Sequence, residues 1–220
     1  MITHHLSDTL LMAYSAGTLP EAFNLAVATH IALCDECRAR LASFDAVGGA
    51  VLDRALEGAA GSSARMESGA LAATLARIKT GAPVARSPQR PVQNALLPAP
   101  LCEYVGPDVD KIRWRALGGG VRQMLIPTSE HATARLLYIP AGAAVPDHGH
   151  RGLELTLVLQ GAFSDEEARF GRGDVEIADE ATQHQPVAEP GEDCICLAVT
   201  DAPLKFRALL PRLAQPFFRI

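Results

Sequence analysis

The sequence predicts a multidomain protein in which a small metal-binding helical bundle precedes a β-sandwich or closed β-barrel. Three observations support this prediction. The first 80 or so residues are rich in alanine and carry apolar residues at helical spacing. A proline-rich stretch follows, and from about residue 101 short apolar or alternating runs are separated by Gly, Pro and Asp. Many short strands without intervening helices favour a sandwich or a closed barrel.

The N-terminal part of the chain is expected to form four helices. Ser7 is a typical helix N-cap, and Gly17 provides the stop for the first helix. Pro20 is well placed to begin the second helix, because its fixed backbone angle suits the first turn. The helices are expected over about 7–16, 20–34, 35–57 and 63–79.

Composition sets the expected domain boundaries. The stretch TGAPVARSPQRPVQNALLPAP holds five prolines in 21 residues and has no periodic apolar face, which is typical of an extended linker. The sequence therefore predicts a helical domain over 1–80, a linker over 81–100 and a β domain over 101–220. The apolar tail over 205–220 is expected to pack on another surface, such as a second subunit.

Composition and charge also limit the class of protein. The chain has 220 residues, of which 48% are hydrophobic and 20% charged, and no apolar run approaches the roughly 20 residues that span a bilayer. The N-terminus lacks the basic and apolar regions of a signal peptide, so a cytoplasmic location is expected. The net charge of −5 disfavours direct nucleic-acid binding. A role in gene control would therefore act through a protein partner.

The segment HIALCDEC is a candidate metal site. His30 and Cys34 are four residues apart and share one helix face, and Cys37 follows one turn later. Zinc prefers four such ligands in a tetrahedron, so a fourth is expected from His5 or its neighbour His4. Two alternatives are a buried free cysteine pair with surface histidines and a redox CxxC, although the latter expects a strand–turn–helix setting.

The spacing of His5, His30, Cys34 and Cys37 resembles the zinc-binding anti-sigma domain over about residues 1–80. The resemblance implies that these four residues hold Zn²⁺. It also implies an extracytoplasmic-function sigma factor as partner, whose contacts with core RNA polymerase such domains block. Apolar helical residues could form the partner surface, although each one is more often part of a core. These residues are Leu10, Leu11, Leu41, Phe44, Val47, Leu52, Leu71, Leu75 and Ile78.

The segment GAAVPDHGHRGLELTLVLQG is a second candidate metal site. On a strand, His148 and His150 point to the same face, and Glu154 has the same parity after a short turn. A further ligand must come from a neighbouring strand, for which His184 is the candidate. Three imidazoles and one carboxylate suit zinc, manganese, iron, nickel or copper. The alternative is a pair of exposed loop histidines unrelated to His184.

The spacing of glycines around these ligands resembles the two sequence motifs of the cupin barrels. The resemblance implies a double-stranded β-helix, or jelly roll, in which the four predicted ligands hold one divalent transition metal. The second motif departs from the family at three turn or packing positions and leaves the ligand position intact. The motifs read Gly142-x5-His148-x-His150-x3-Glu154-x6-Gly161 and Gly173-x5-Asp179-x-Ala181-x2-His184, and the departures are Asp179, Ala181 and Ala188.

The order of zinc domain, linker and cupin resembles the ChrR-type anti-sigma factors over nearly the whole chain. The resemblance implies a non-enzymatic repressor of a group IV sigma factor, relieved by singlet oxygen or organic hydroperoxides. One alternative is a metal-dependent cupin dioxygenase or isomerase with an N-terminal docking domain. It is disfavoured because no general base beyond the ligands is visible. In another, the cupin metal is purely structural and the domain mediates self-association.

Two cysteines of the predicted β domain have two interpretations. Cys194 and Cys196 lie two residues apart in the strand DCICLAVT and therefore share a face. They are either redox-sensitive thiols near the barrel metal or two small buried residues, which is the more common role of such cysteines.

Overall fold

The computed structural model describes residues 1–58, 67–81 and 96–208, together with Arg212, Leu213, Gln215 and Phe217. Most of the predicted linker, the turn before the fourth predicted helix and most of the apolar tail lie outside the described residues. The chain forms two compact units, one of residues 1–45 with 95–220 and one of residues 46–94. The division into domains over 1–80, 81–100 and 101–220 stays a prediction.

Five α-helices occur in the described ranges. Ser7 caps the first as predicted, since its Oγ accepts a hydrogen bond from the Leu10 N–H at 3.3 Å. The fifth helix was not predicted and lies where the sequence indicates the end of the linker and the start of the β pattern. The helices are α1 (Asp8–Ser15), α2 (Glu21–Ile31), α3 (Asp35–Gly58), α4 (Ala70–Thr80) and α5 (Ala99–Val105), and a single 3₁₀ turn spans Val109–Lys111.

The described β region has twelve strands in three antiparallel sheets. The largest sheet has the order β1-β2-β3-β11-β5-β8, and the smaller ones have the orders β10-β6-β7 and β12-β4-β9. The strands are β1 (Arg115–Gly118), β2 (Val121–Ile126), β3 (Thr133–Ile139), β4 (His148–Gly149), β5 (Glu154–Gln160), β6 (Ala162–Ser164), β7 (Arg169–Gly171), β8 (Val175–Ala178), β9 (Gln183–His184), β10 (Val187–Ala188), β11 (Cys194–Thr200) and β12 (Lys205–Phe206).

The position of strand β5 explains why its sequence is almost continuously apolar. It lies between β11 and β8 in the large sheet, and both of its faces are covered. Leu155 and Leu157 on one face belong to the core shared with the N-terminal helices. Glu154 and Thr156 on the other face line a cavity between the sheets. The alternation within β5 therefore separates a hydrophobic core from a polar functional surface.

The N-terminal helices and the large sheet share one hydrophobic core. Helix α2 packs against β3, β5 and β11. Its buried residues Phe23 and Val27 join Leu10 and Leu11 of α1 and Leu197 of β11 in a single cluster. Burial of this surface stabilises the unit by roughly 25 cal/mol per Å² of apolar area. The shared core brings the N-terminal histidines close to the β domain.

The second unit contains the end of α3 and helix α4. No side chain of α4 is buried, and Leu71, Leu75 and Ile78 are 67%, 47% and 69% exposed. These three residues follow helical spacing and form one stripe. Val47 and Leu52 on α3 are exposed as well. Of the nine predicted partner-surface candidates, these five are exposed, Leu10, Leu11 and Leu41 are buried, and Phe44 is half-buried.

None of the helices in the described ranges has the length and apolar character needed to cross a membrane.

Candidate metal centres

The first candidate centre lies where α1, α2 and α3 meet. His5, His30, Cys34 and Cys37 offer one ligand atom each, and these four atoms all lie within 4.8 Å of one another. Cys34 Sγ is 3.3 Å and Cys37 Sγ is 3.6 Å from His5 Nδ1. The structure therefore brings together all four residues that the sequence spacing predicts.

His30 shows which of its nitrogen atoms is available as a ligand. Its Nδ1 lies 3.0 Å from the Gly173 carbonyl oxygen, which can only accept, so Nδ1 carries the proton. The buried Nε2 atom has no hydrogen-bond partner among the described residues. A buried nitrogen without a partner is costly unless it binds something. Nε2 of His30 therefore fits a metal ligand, with Gly173 holding the imidazole ring in place.

His5, and not its neighbour, is the N-terminal member of this group. Its Nδ1 faces the two sulfur atoms, and its Nε2 lies 3.4 Å from a carboxylate oxygen of Glu36. The imidazole of His4 instead lies against Phe170, with ring centroids 4.4 Å apart. The choice between His4 and His5, which the sequence left open, is therefore resolved by the position of the two rings.

The protonation states of the metal-free group match its burial. Desolvation lowers the pKa of His30 to about 4, so its imidazole is neutral near pH 7. Burial raises the pKa of the Cys37 thiol to about 11. A metal ion must displace that thiol proton, because the thiolate is the ligand form. Two sulfur and two imidazole donors suit a tetrahedral transition-metal ion.

The second candidate centre lies between the sheets of the β domain. Nε2 of His184 is 3.2 Å from Nε2 of both His148 and His150. Nδ1 of His148 faces the Pro146 carbonyl oxygen at 2.8 Å, which assigns its proton to Nδ1 and leaves a lone pair on Nε2. Nitrogen lone pairs that converge at this distance repel one another unless a proton or cation lies between them. All three histidines are buried.

Two carboxylates hold His184 from its other side. Its Nδ1 is 2.7 Å from Glu176 Oε1 and 3.4 Å from Asp165 Oδ2. Burial alone would lower the pKa of His184, but these carboxylates together with Glu154 outweigh it and raise the pKa to about 8. Burial raises the pKa of Glu176 to about 7. A carboxylate that binds the second nitrogen of a ligating histidine fixes the ring and increases its basicity.

Glu154 lies beside the three imidazoles but outside their group. The group of atoms within 4.8 Å of one another consists of His148, His150 and His184. A carboxylate oxygen of Glu154 is 3.6 Å from Nδ1 of His150, and the other accepts a hydrogen bond from Thr156 Oγ1 at 3.0 Å. The role of Glu154 as a fourth ligand stays a prediction.

A cavity of about 400 Å³ adjoins this second centre. Its walls are largely apolar and include Val121, Phe163 and Phe206, while His148 and Glu154 lie at its polar part. This volume is within the range of small-molecule sites. The cavity leaves room for a small molecule next to the imidazole group.

Cys194 and Cys196 occupy the inner face of β11. Both thiols are buried, and their sulfur atoms are 3.4 Å apart. Cys196 also lines the cavity. The hydrogen bond with Cys194 and burial raise the pKa of Cys196 well above its usual value. The Cys196 thiol is therefore neutral near pH 7, and the role of the two cysteines as redox-sensitive groups stays a prediction.

Three acidic residues near the two centres were not predicted from the sequence. Asp165 and Glu176 hold His184, and Asp174 binds the N-terminal backbone. Glu176 carried no usable signal, because the alternation in DVEIA places it opposite Val175 and Ile177, on the face expected to be exposed. Asp174 carried no signal either, because its partners lie about 170 residues away in the sequence.

Comparisons with known proteins identify the family. A model of the ChrR cupin-like domain matches residues 104–203, which confirms the predicted cupin fold. The anti-sigma-E factor ChrR of Cereibacter sphaeroides is 58% identical over 223 residues, which cover 100% of this chain and 99% of the relative. The crystal structure of Rhodobacter sphaeroides SigE in complex with the anti-sigma ChrR matches with a TM-score of 0.77 and 55% identity, over 91% of this chain and 100% of that one. This chain belongs to the ChrR family of anti-sigma factors.

Proposed function

We propose that this chain binds and inhibits an extracytoplasmic-function, group IV, sigma factor and releases it under oxidative stress. The main support for sigma-factor inhibition is the 55% identity to a ChrR that was crystallised with the sigma factor SigE. Membership of this family makes the chain a regulatory binding protein and not an enzyme. The sigma factor is contacted by the N-terminal helical part, and the cupin-like domain provides the response.

The exposed apolar residues of α3 and α4 support a protein partner. Leu71, Leu75 and Ile78 form a stripe on α4 that buries nothing within the described residues. Exposed apolar surface of this kind is typical of protein interfaces. A sigma factor seated on this stripe would remove it from water. The acidic net charge of −5 favours a protein partner over nucleic acid.

We assign Zn²⁺ to the N-terminal centre. Two thiolates and two imidazoles form the donor set that structural zinc sites use. The centre lies where α1, α2 and α3 meet, so the metal would fix the directions of these helices. Zinc bound here contributes to folding and does not itself take part in a reaction.

We assign the sensing role to the cupin centre, with zinc, manganese, iron or nickel as its metal. Three imidazoles leave room for further ligands, and the adjoining cavity can admit a small oxidant such as singlet oxygen or an organic hydroperoxide. Cys196 lines this cavity and its sulfur atom is 3.4 Å from that of Cys194, so we also propose this pair as a site of oxidation. Self-association through the cupin domain is a separate proposal.

Binding to a purified extracytoplasmic-function sigma factor tests the inhibitory part. The full chain is expected to co-elute with its sigma factor and to suppress transcription from a promoter that the sigma factor uses. Substitution of Leu75 by Asp should weaken the complex at least about tenfold, because it puts a charge in a buried apolar contact. Ala73→Asp on the opposite face of α4 adds the same charge and is the matched control.

Two results would contradict this proposal. The first is a full chain that neither binds nor inhibits any extracytoplasmic-function sigma factor. The second is an equal loss of affinity for Leu75→Asp and Ala73→Asp, which would show that the apolar stripe is not the contact. Steady turnover of a small substrate by the cupin centre would instead favour an enzymatic role.

A further inference from the structure

One short segment of the β domain contacts both candidate metal centres. It consists of residues 173–176 and joins the turn after β7 to strand β8. Its first three residues bind the N-terminal part of the chain through the backbone and one carboxylate. Its fourth residue binds a histidine of the cupin centre.

Asp174 holds the backbone that leads to His5. Its buried Oδ1 accepts hydrogen bonds from the N–H groups of Thr3 at 2.6 Å and His4 at 2.9 Å. The Val175 N–H donates to the His4 carbonyl oxygen at 3.2 Å. These three bonds position the peptide immediately before His5. Charge-assisted bonds of this kind to a buried carboxylate are among the stronger ones in proteins.

Gly173 holds the second histidine of the same centre. Its carbonyl oxygen accepts a hydrogen bond from His30 Nδ1, with 3.0 Å between the two atoms, and this bond sets the direction of Nε2. The approach is close, because a Cβ at this glycine would lie 2.6 Å from Ile2 Cδ1. The backbone angle φ of Gly173 is 91°, which also favours glycine. The segment therefore fits the N-terminal part closely.

Glu176 connects the segment to the cupin centre. Its Oε1 accepts a hydrogen bond from His184 Nδ1 at 2.7 Å, and Nε2 of that ring belongs to the three-imidazole group. Glu176 is two residues from Asp174 and lies in β8, which pairs with β5 in the large sheet. A change in the position of His184 therefore reaches a carboxylate on the segment that carries Asp174 and Gly173.

We propose that residues 173–176 couple the two centres, so that a metal ion in the cupin centre strengthens metal binding at the N-terminal centre. Asp174 and Glu176 act as positioning residues and ligate neither metal. A metal ion held by His148, His150 and His184 would keep the His184 ring in place. The hydrogen bond from His184 Nδ1 to Glu176 would then keep β8 and Gly173 in register with His30. Loss of the cupin metal removes this constraint. The proposal rests on the proposed function in assuming that both centres hold metal.

The coupling can be measured on the full chain loaded with Co²⁺ as the probe metal. A cysteine-ligated cobalt ion gives a thiolate-to-metal charge-transfer band, and loss of this band in Cys34→Ser assigns it to the N-terminal centre. His150→Ala removes one imidazole of the cupin centre without touching residues 173–176. We expect this substitution to accelerate loss of the band in excess chelator roughly tenfold, which is within the usual range of coupling between sites.

A double-mutant cycle separates coupling from general loosening. In a Glu176→Ala background the band should already decay fast, and His150→Ala should add little. Glu176→Gln should restore most of the wild-type behaviour, because its amide oxygen can still accept from His184 Nδ1. Asp193→Asn is the matched control: its carboxylate accepts hydrogen bonds from the Tyr138 hydroxyl and the Ala141 N–H, away from residues 173–176, so His150→Ala should remain effective.

Three results would overturn the coupling. They are an unchanged decay rate in His150→Ala, an equal effect of His150→Ala with and without Glu176, and no rescue by Glu176→Gln. Binding of the sigma factor by the wild-type full chain is measured separately. If that binding holds while the cobalt cycle fails, the coupling is wrong and the anti-sigma function stands. If the sigma factor does not bind, the proposed function is wrong whatever the cycle shows.

Discussion

The two candidate metal centres differ in their donor atoms and in their surroundings. The N-terminal group combines two thiols with two imidazoles and so has the four donors of a closed tetrahedral site. The cupin group has three imidazoles, with Glu154 to one side and a cavity of about 400 Å³ next to it. A metal site with all four positions filled by the protein stabilises the fold, whereas a site with room for further ligands can bind or react with a small molecule.

The difference suits two separate roles in one chain: a structural metal site in the N-terminal part and a site in the β domain that responds to a small molecule. The N-terminal group lies where α1, α2 and α3 meet, whereas the proposed partner surface lies on α3 and α4. The cupin group lies inside the sheets, where a small molecule can reach it without displacing the helices. If the comparison is correct, damage to the first group should affect folding and partner binding, and damage to the second should affect chiefly the response.

Loss of an N-terminal thiol is expected to have the largest effect. Cys34→Ser should remove one equivalent of metal, lower the free energy of unfolding by about 5 kcal/mol and abolish sigma inhibition, because structural zinc contributes folding energy directly. Metal analysis, thermal unfolding and a transcription assay measure these changes. Cys102→Ser is the control, since that half-buried thiol bonds the Leu97 carbonyl oxygen outside both groups. Unchanged metal content in Cys34→Ser would contradict the assignment.

Acid is expected to destabilise the metal-free protein through the N-terminal centre. His30 has a pKa of about 4 in the folded chain, against 6.5 as its ordinary value. Between these values the unfolded chain binds a proton that the folded chain does not, so the free energy of unfolding falls as the pH falls from 6.5 to 4. The full difference is about 3 kcal/mol at 1.36 kcal/mol per pKa unit.

The cupin centre should show a weaker net dependence on pH. His150, with a pKa of about 4, acts in the same direction as His30. His184, with a pKa of about 8, acts in the opposite direction, because the stability from its charged form is present below pH 6.5 and is lost as the pH rises through 8.

Denaturant unfolding of the metal-free protein in chelator tests the contribution of His30. His30→Gln removes this imidazole and should therefore give a free energy of unfolding that falls less steeply as the pH is lowered. The exposed His131→Gln should keep the wild-type slope, and equal slopes would refute this prediction.

Removal of a cupin imidazole should speed metal loss from the N-terminal centre in excess chelator but leave sigma inhibition intact when no chelator is present. His150→Ala is expected to lose the cupin metal and about 2 kcal/mol of stability, in the range of ordinary buried substitutions. Inhibition of the sigma factor should persist, while release by oxidant should fail. Metal analysis and a transcription assay with and without oxidant test both statements. Persistent release by oxidant in this variant would show that the cupin metal is not the sensor.

The sequence predicted which side chains lie together in each candidate centre better than it predicted what surrounds them. The spacing of His30, Cys34 and Cys37 is local, and one turn of helix places them together. The parity of His148 and His150 on a strand is equally local. Their distant partners do not follow from periodicity. His5 or His4 was expected because zinc prefers four ligands, and His184 was the candidate from a neighbouring strand. Family spacing then matched His5 and His184.

The contacts that hold these ligands depend on long-range packing. Asp174 binds the backbone of Thr3 and His4 across about 170 residues, and no periodic pattern reports such a contact. The shared core of α2 and the large sheet is of the same kind, because an amphipathic helix does not specify which surface covers it. Helix α5 was missed because its N-cap Pro98 and the Pro100 of its first turn continue the proline pattern of the adjoining linker.

Each candidate centre has a pair of buried cysteines nearby, Cys34 with Cys37 and Cys194 with Cys196, and the smallest expected effect concerns the second pair. The sulfur atoms of Cys196 and Cys194 are 3.4 Å apart, and Cys196 lines the cavity. Within the described part of the chain, no histidine nitrogen is grouped with either sulfur. Cys196→Ala should therefore keep both metals and cost only about 1 kcal/mol, since it removes one small buried group. The same thiol loss at Cys34 is expected to cost several times more. Loss of the cupin metal in Cys196→Ala would make this thiol a ligand, and the cupin centre would then contain sulfur as the N-terminal centre does.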